Sequence, residues 1–327
     1  MGEVDPAFIQ DLQHRPKLGV IEAEEIPVID LSPVTNEAVS DPSSIERLVK
    51  EIGSACKEWG FFQVINHGVP LVLRENIEKA SRMFFSQSVE EKRKVSRDER
   101  NAMGYYDTEH TKNVRDWKEV FDSVAQDPTP VPLTPHEHDH RLTYWSNSTP
   151  HYPPHLRSTI TKYVKETEKL SLKLMELIAL SLGLEAKRFE EYFVKDQTSL
   201  FRLNYYPRCP SPHLALGVGP HKDVGALTVL AQDEVEGLEL LQVWSNDAYE
   251  SPEHRVVVNS EKERYSYPFF LFPAQETEVK PMEELINDQN PSKYRPYKWG
   301  KFLAHRFSTN FKKQVGENIQ ILHYKIK

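Results

Sequence analysis

The sequence predicts an α+β protein in which a helix-rich first half packs on an all-β second half. Two observations carry this. Before about residue 185, apolar residues recur at spacings of three and four. From Ser199 onward they fall in short runs rich in β-branched and aromatic residues. The 327 residues suffice for one large domain or two ordinary ones. The division is placed so that 1–198 is the helix-rich part and 199–327 the β-rich part with its C-terminal tail, packed as one unit.

IPVIDLS (26–32) reads as a short strand ending in a Ser-Pro turn. DPSSIERLVKEIGSACKEWG (41–60) reads as a helix, with Asp41 as N-cap, Pro42 in the first position and Gly60 near the end. FFQVINHGVP (61–70) has the text of a buried strand closed by His67-Gly68, and residues 71–95 continue with helical periodicity. Residues 125–157 are rich in Pro, His, Thr and Ser, the composition of a loop. Ile160, Tyr163, Val164, Leu170, Leu174, Leu177, Ile178 and Leu182 then mark a long amphipathic helix, with Gly183 suited to its C-terminal cap. The β-type runs that follow are SLFRLNYY (199–206), ALTVLAQ (226–232), LELLQVW (238–244), HRVVVN (254–259) and RYSYPFFLF (264–272).

Composition narrows the function classes. A hydrophobic content of 39% beside 28% charged residues fits a soluble globular protein. A net charge of -8 argues against a sequence-independent grip on nucleic acid. No apolar run has the length of a membrane span, and the N-terminal text has no secretory signal. Two distant cysteines, Cys56 and Cys209, give no disulfide framework and suit a reducing compartment, so the expected place is the cytoplasm and the expected state a monomer.

His221 and Asp223 stand two apart at the start of an apolar run, and His254 opens a later one. Strand side chains alternate, so an extended segment puts His221 and Asp223 on one face. Two imidazoles and one carboxylate form the facial set that holds Fe(II) and leaves positions open for substrate and oxygen. Among 13 histidines this pattern alone is weak. Arg264 and Ser266, also two apart, match a carboxylate clamp of guanidinium fork plus hydroxyl. Asn204 and Tyr206 in NYYPRCP share a face with donors for the same ligand. Singly, Arg264 suits a surface strand, Tyr206 a core edge and His254 a turn; their order together points to a site. The rival cluster HEHDH (136–140) holds more ligand types but sits in a Pro-rich stretch without a strand or helix to fix it, and reads as a solvated loop. His67 before Gly68 reads as structural.

These blocks, together with ACKEWGFFQVINHGVP and LALGVGPHKDVGALTVLAQDEVEGLEL, resemble the plant iron(II)/2-oxoglutarate-dependent dioxygenases related to isopenicillin N synthase, the group of flavonoid, gibberellin and aminocyclopropane-carboxylate oxidase-like enzymes. The resemblance implies a double-stranded β-helix, or jelly roll, wrapped by N-terminal helices. It implies His221, Asp223 and His254 as iron ligands, Arg264 and Ser266 on the far carboxylate of 2-oxoglutarate, and Asn204 and Tyr206 in support. Phe270 falls where some relatives face the organic substrate. The implied cofactors are Fe(II), 2-oxoglutarate, O2 and ascorbate as reductant. The implied reaction is hydroxylation, demethylation or desaturation of a small plant metabolite, with release of succinate and CO2. An ascorbate-dependent oxidase of the same fold is the rival enzyme.

One departure stands out. Thirty residues separate Asp223 from His254, fewer than in that family, because GLEL (237–240) runs directly into LQVWSND (241–247). The gap equals about two strands with their turns. It predicts an internal deletion near 240–241, a barrel short of about two strands and a scaffold with uncovered core and open strand edges. A truncated, catalytically weak or inactive binding form is the reading from another class.

Overall fold

The computed structural model describes residues 4–16, 26–232, 240–249, 251–309 and 319–326. The first long helix, α1 (Pro42–Glu58), starts where the sequence places it. Asp41 accepts from the backbone N–H groups of Ser43 and Ser44, and Ser44 closes a capping box. Helix α2 (Leu71–Phe85) and helix α3 (Leu156–Ser181) follow. The α3 stripe of Ile160, Tyr163, Val164, Leu170, Leu174, Leu177 and Ile178 is buried, and α3 packs on both α1 and α2. Gly183 just beyond it has φ +76°, the left-handed geometry of a helix terminus.

Two sheets position the candidate site. Strands β1 (Gly104–Tyr106), β2 (Glu119–Val124), β3 (Leu200–Tyr206), β4 (Leu216–His221), β5 (Leu227–Gln232), β6 (His254–Val257) and β7 (Arg264–Leu271) are the ones that build the site. Among the described residues, the larger sheet runs β5-β7-β3-β2-β1, antiparallel throughout, and the smaller pairs β4 with β6. Because β1 and β2 come from before residue 198, the helix-rich part contributes strands to the same sheet as the β-rich part. The α+β class is borne out.

Four expectations about local structure need correction. In FFQVINHGVP only Gln63–Ile65 is a strand; it pairs with Val28–Asp30 alone, and Ile65 is 47% exposed. Residues 71–95 split into α2 and a short helix, Val89–Arg93, because Ser88 caps the second one by accepting the Glu91 N–H. The 125–157 segment is not all loop: Thr129–Pro132 and Leu142–Trp145 form a hairpin. Finally, LELLQVW is not a β-type run where it is described. Leu240–Trp244 is a helix, α4, while residues 237–239 lie outside the described residues.

Helix α4 closes the connection between β5 and β6, which contains no strand among the described residues. Its Trp244 is fully buried, stacked on Phe189 at 5.2 Å and on Tyr192 at 5.1 Å. The Trp244 carbonyl accepts the Met282 N–H, and Asp247 just after it accepts the Tyr294 hydroxyl at 2.6 Å. At this end, therefore, the apolar core is covered rather than exposed. Among the described residues the outer strand β6 pairs with β4 alone, and Val257 is 54% exposed. Trp244→Ala is expected to cost about 3–5 kcal/mol of stability, the range for emptying a buried aromatic site. Denaturant unfolding of the two proteins checks it, and a change under 1 kcal/mol would mean α4 is not the plug.

Candidate metal centre

Strand β4 ends on His221, and the β4–β6 pairing sets His221 directly across from His254. Asp223 lies past the end of β4, so the same-face argument from an extended strand does not apply to it. The chain still brings the three together. Asp223 Oδ1 is 3.3 Å from His221 Nε2 and 3.5 Å from His254 Nε2, and the two rings are 4.3 Å apart. One ligand atom from each residue lies within 4.8 Å of the others, the one such His/Cys/Asp/Glu group of three or more among the described residues.

The second ring nitrogens are already committed. His221 Nδ1 is 2.9 Å from the Gly219 carbonyl and His254 Nδ1 3.3 Å from the Pro252 carbonyl. A carbonyl only accepts, so Nδ1 carries a proton. Nε2 faces Asp223, donating to it while the ring is an imidazolium and offering its lone pair to a metal once the ring is neutral. Burial pushes the Asp223 carboxyl up, but hydrogen bonds from His221 and His254 outweigh it and hold the group well below the carboxylate range. Burial lowers the His221 imidazolium and prevails. At His254 burial acts the same way but loses to the Asp223 hydrogen bond, so its pKa is raised. An ionised carboxylate between two imidazoles, with no fourth His, Cys, Asp or Glu joining them among the described residues, fits a divalent metal that keeps positions open.

The second group sits on the larger sheet. Across β3 and β7, Ser266 stands opposite Asn204 and Arg264 opposite Tyr206. Asn204 Nδ2 donates to Ser266 Oγ at 3.1 Å, and the Arg264 guanidinium lies 4.8 Å from the Tyr206 ring centre. Asn204 is 5% exposed, yet its Oδ1 has no hydrogen-bond partner among the described residues. A buried polar atom left so is costly unless a ligand completes it. This face meets β4: a Cβ on Gly217 would stand 2.7 Å from the Tyr206 ring, so only glycine admits that approach. The four clamp candidates thus form one cluster that meets β4 through Tyr206, and the residues fit a small dicarboxylate beside the candidate metal site. Phe270, on the face of β7 that carries Arg264 and Ser266, lies with its ring centre 5.9 Å from the Arg202 guanidinium.

Arg202 itself belongs to a buried ionic cluster that the sequence reading missed. It binds both oxygens of Asp122 at 2.8 and 2.9 Å, both oxygens of Glu109 at 3.2 Å, and the Tyr106 hydroxyl. Lys118 completes it at 2.5 Å from Glu109. Burial drives the Glu109 carboxyl up, and Arg202 and Lys118 overcome that and hold it down. The available signal was a charge inside each apolar strand run, Asp122 in EVFDSV and Arg202 in SLFRLNYY, which register sets opposite each other.

The rivals stay outside. His136, His138 and His140 are exposed, and Asp139 is held by Arg141 at 2.9 Å and Thr134 at 2.8 Å. His67 Nδ1 accepts the Val69 N–H, a structural turn contact.

The comparisons agree with this geometry. Residues 26–151 match the family described as non-haem dioxygenase in morphine synthesis N-terminal, and residues 197–273 match the 2OG-Fe(II) oxygenase superfamily. A lateral branching oxidoreductase from Arabidopsis thaliana is 36% identical over 87% of this chain and 81% of its own. Codeine O-demethylase from Papaver somniferum is 33% identical over 88% and 83%. The crystal structure of JOX2 in complex with 2OG, Fe and JA superimposes with a TM-score of 0.77 at 30% identity, covering 96% of this chain and 92% of that one. The chain therefore belongs to the 2OG-Fe(II) oxygenases, jelly-roll enzymes that use Fe(II), 2-oxoglutarate and O2. Within them it falls among the plant 2-oxoglutarate-dependent dioxygenases of small metabolites. No helix among the described residues is long and apolar enough to cross a membrane.

Proposed function

We propose that this chain oxidises a small organic plant metabolite, by hydroxylation, demethylation or desaturation, at an iron held by His221, Asp223 and His254. Bound there, the iron supplies the coupling of 2-oxoglutarate decarboxylation by O2 to oxidation of a substrate C–H bond. The protein's part is to hold and orient. Arg264 and Ser266 take the far carboxylate of 2-oxoglutarate, Asn204 offers its unpaired oxygen and amide to the cosubstrate pocket, and Tyr206 walls it against β4. Phe270 forms part of the substrate side, next to the Arg202 cluster. The observation that carries this reading is the cluster of Arg264, Ser266 and the orphaned Asn204 oxygen on the face that packs against the metal strand. Ascorbate is the reductant, and the enzyme works as a cytoplasmic monomer of two parts, 1–198 and 199–327, sharing one sheet.

The short Asp223–His254 connection is read as a chain lacking about one hairpin, with α4 closing that end. The burial of Trp244 favours a competent scaffold over a collapsed, inactive one. The test is succinate formation. Purified protein with Fe(II), ascorbate and 2-oxoglutarate is expected to release succinate, faster when a substrate from a panel of small plant metabolites is added. Turnover that needs ascorbate but not 2-oxoglutarate would favour the rival oxidase. Folded, iron-loaded protein that makes no succinate under any condition would sink the enzymatic reading.

A further inference from the structure

Strand β4 is irregular just before its metal-binding end. Its pairing with β6 runs Val218 to Val256 and then His221 to His254, so β4 spends three steps where β6 spends two. The extra residue is a bulge at Gly219-Pro220. Bulges re-aim the side chain that follows, and they leave a backbone group without its ladder partner. Pro220 has no N–H to offer, so the Gly219 N–H is the donor to account for.

A side chain from the first half of the chain takes it. Asp116 Oδ1 accepts from the Gly219 N–H at 3.1 Å, and Asp116 is itself fully buried. Its other oxygen accepts from Thr111 Oγ1 at 3.0 Å, with Lys118 Nζ at 3.5 Å. Thr111 belongs to the hairpin that pairs His110–Thr111 with Val114–Arg115, and this hairpin lies directly on β4: a Cβ on Gly219 would be 3.0 Å from Thr111 carbons. On the far side of the same residue, the Gly219 carbonyl receives the His221 Nδ1 proton. Both polar groups of Gly219 are therefore fixed, one by Asp116 and the other by the metal-binding imidazole. The hairpin also reaches the segment just before β6 through Lys112 and Glu253 at 2.7 Å, but both are about half exposed, and such pairs contribute little.

We propose that Asp116 is a positioning residue for the metal centre: it captures the Gly219 N–H and thereby fixes the bulge that aims His221. This rests on the assignment of His221 as an iron ligand. Lateral support that a longer sheet would give is scarce here, since β4 pairs only with β6 among the described residues.

The experiment is anaerobic Fe(II) titration of the wild type, Asp116→Ala and Asp116→Asn, with the exchange rate of the Gly219 amide read by NMR in the iron-free proteins. Asn keeps an oxygen for the Gly219 N–H, and the Thr111 hydroxyl can turn to accept from its amide. Asp116→Ala is expected to weaken iron binding by about 10- to 100-fold, as loss of an outer contact to a ligand does, and to speed exchange at Gly219. Asp116→Asn is expected to restore most of both. Unchanged iron affinity in the Ala variant overturns the proposal. So does equal loss in Ala and Asn, which would trace the effect to charge or folding rather than to the accepted N–H. Should the wild type bind no iron, the ligand assignment itself fails and the positioning role with it.

Discussion

Asp223→Ala is expected to abolish stoichiometric iron binding and all coupled turnover. In the proposed centre Asp223 is the one anionic ligand, and its oxygen stands within 3.5 Å of both imidazole nitrogens. Without it two neutral imidazoles remain, a set that holds Fe(II) far more weakly. Because loss of an outer contact alone costs about 10- to 100-fold in metal affinity, loss of this ligand should exceed 100-fold. The fold should survive, since this carboxylate is paired with the two imidazoles rather than with core side chains. Iron titration with a thermal melt of each protein separates the two effects. Iron bound one to one by the variant would remove Asp223 from the centre.

Arg264→Lys is expected to raise the KM for 2-oxoglutarate by roughly 10- to 100-fold with iron affinity unchanged. The lysine keeps the charge but loses the planar fork that meets a carboxylate with two hydrogen bonds. A charge-assisted hydrogen bond is worth about 1.5–3 kcal/mol, which sets that range. Arg264 also packs on the Tyr206 ring, and a lysine covers that face less well. Cosubstrate titration at saturating iron checks this. An unchanged KM would show that the far carboxylate is held elsewhere.

The proposed triad stood out in the sequence because Arg264, Ser266, Asn204 and Tyr206 accompany it, although the same-face argument does not reach Asp223. The strand stops at His221, and the irregular segment after it, rather than strand alternation, carries the carboxylate. The helix caps were legible because capping is local: Asp41 satisfies N–H groups two and three residues away. LELLQVW misled because a short apolar run of Leu, Gln, Val and Trp suits either state, and only the aromatic socket of Phe189 and Tyr192 selects the helix. The Arg202 cluster was hidden for a different reason. Its partner Asp122 lies 80 residues upstream, and the meeting is made by the register of β2 on β3, which no local window contains.

The most direct measurement is an anaerobic titration of the purified chain with Fe(II) in the presence of 2-oxoglutarate, followed by the visible absorption that 2-oxoglutarate gives when it chelates iron. The predicted result is a saturable band at one iron per chain. A folded protein that shows no saturable iron binding and no band would contradict the account at its centre.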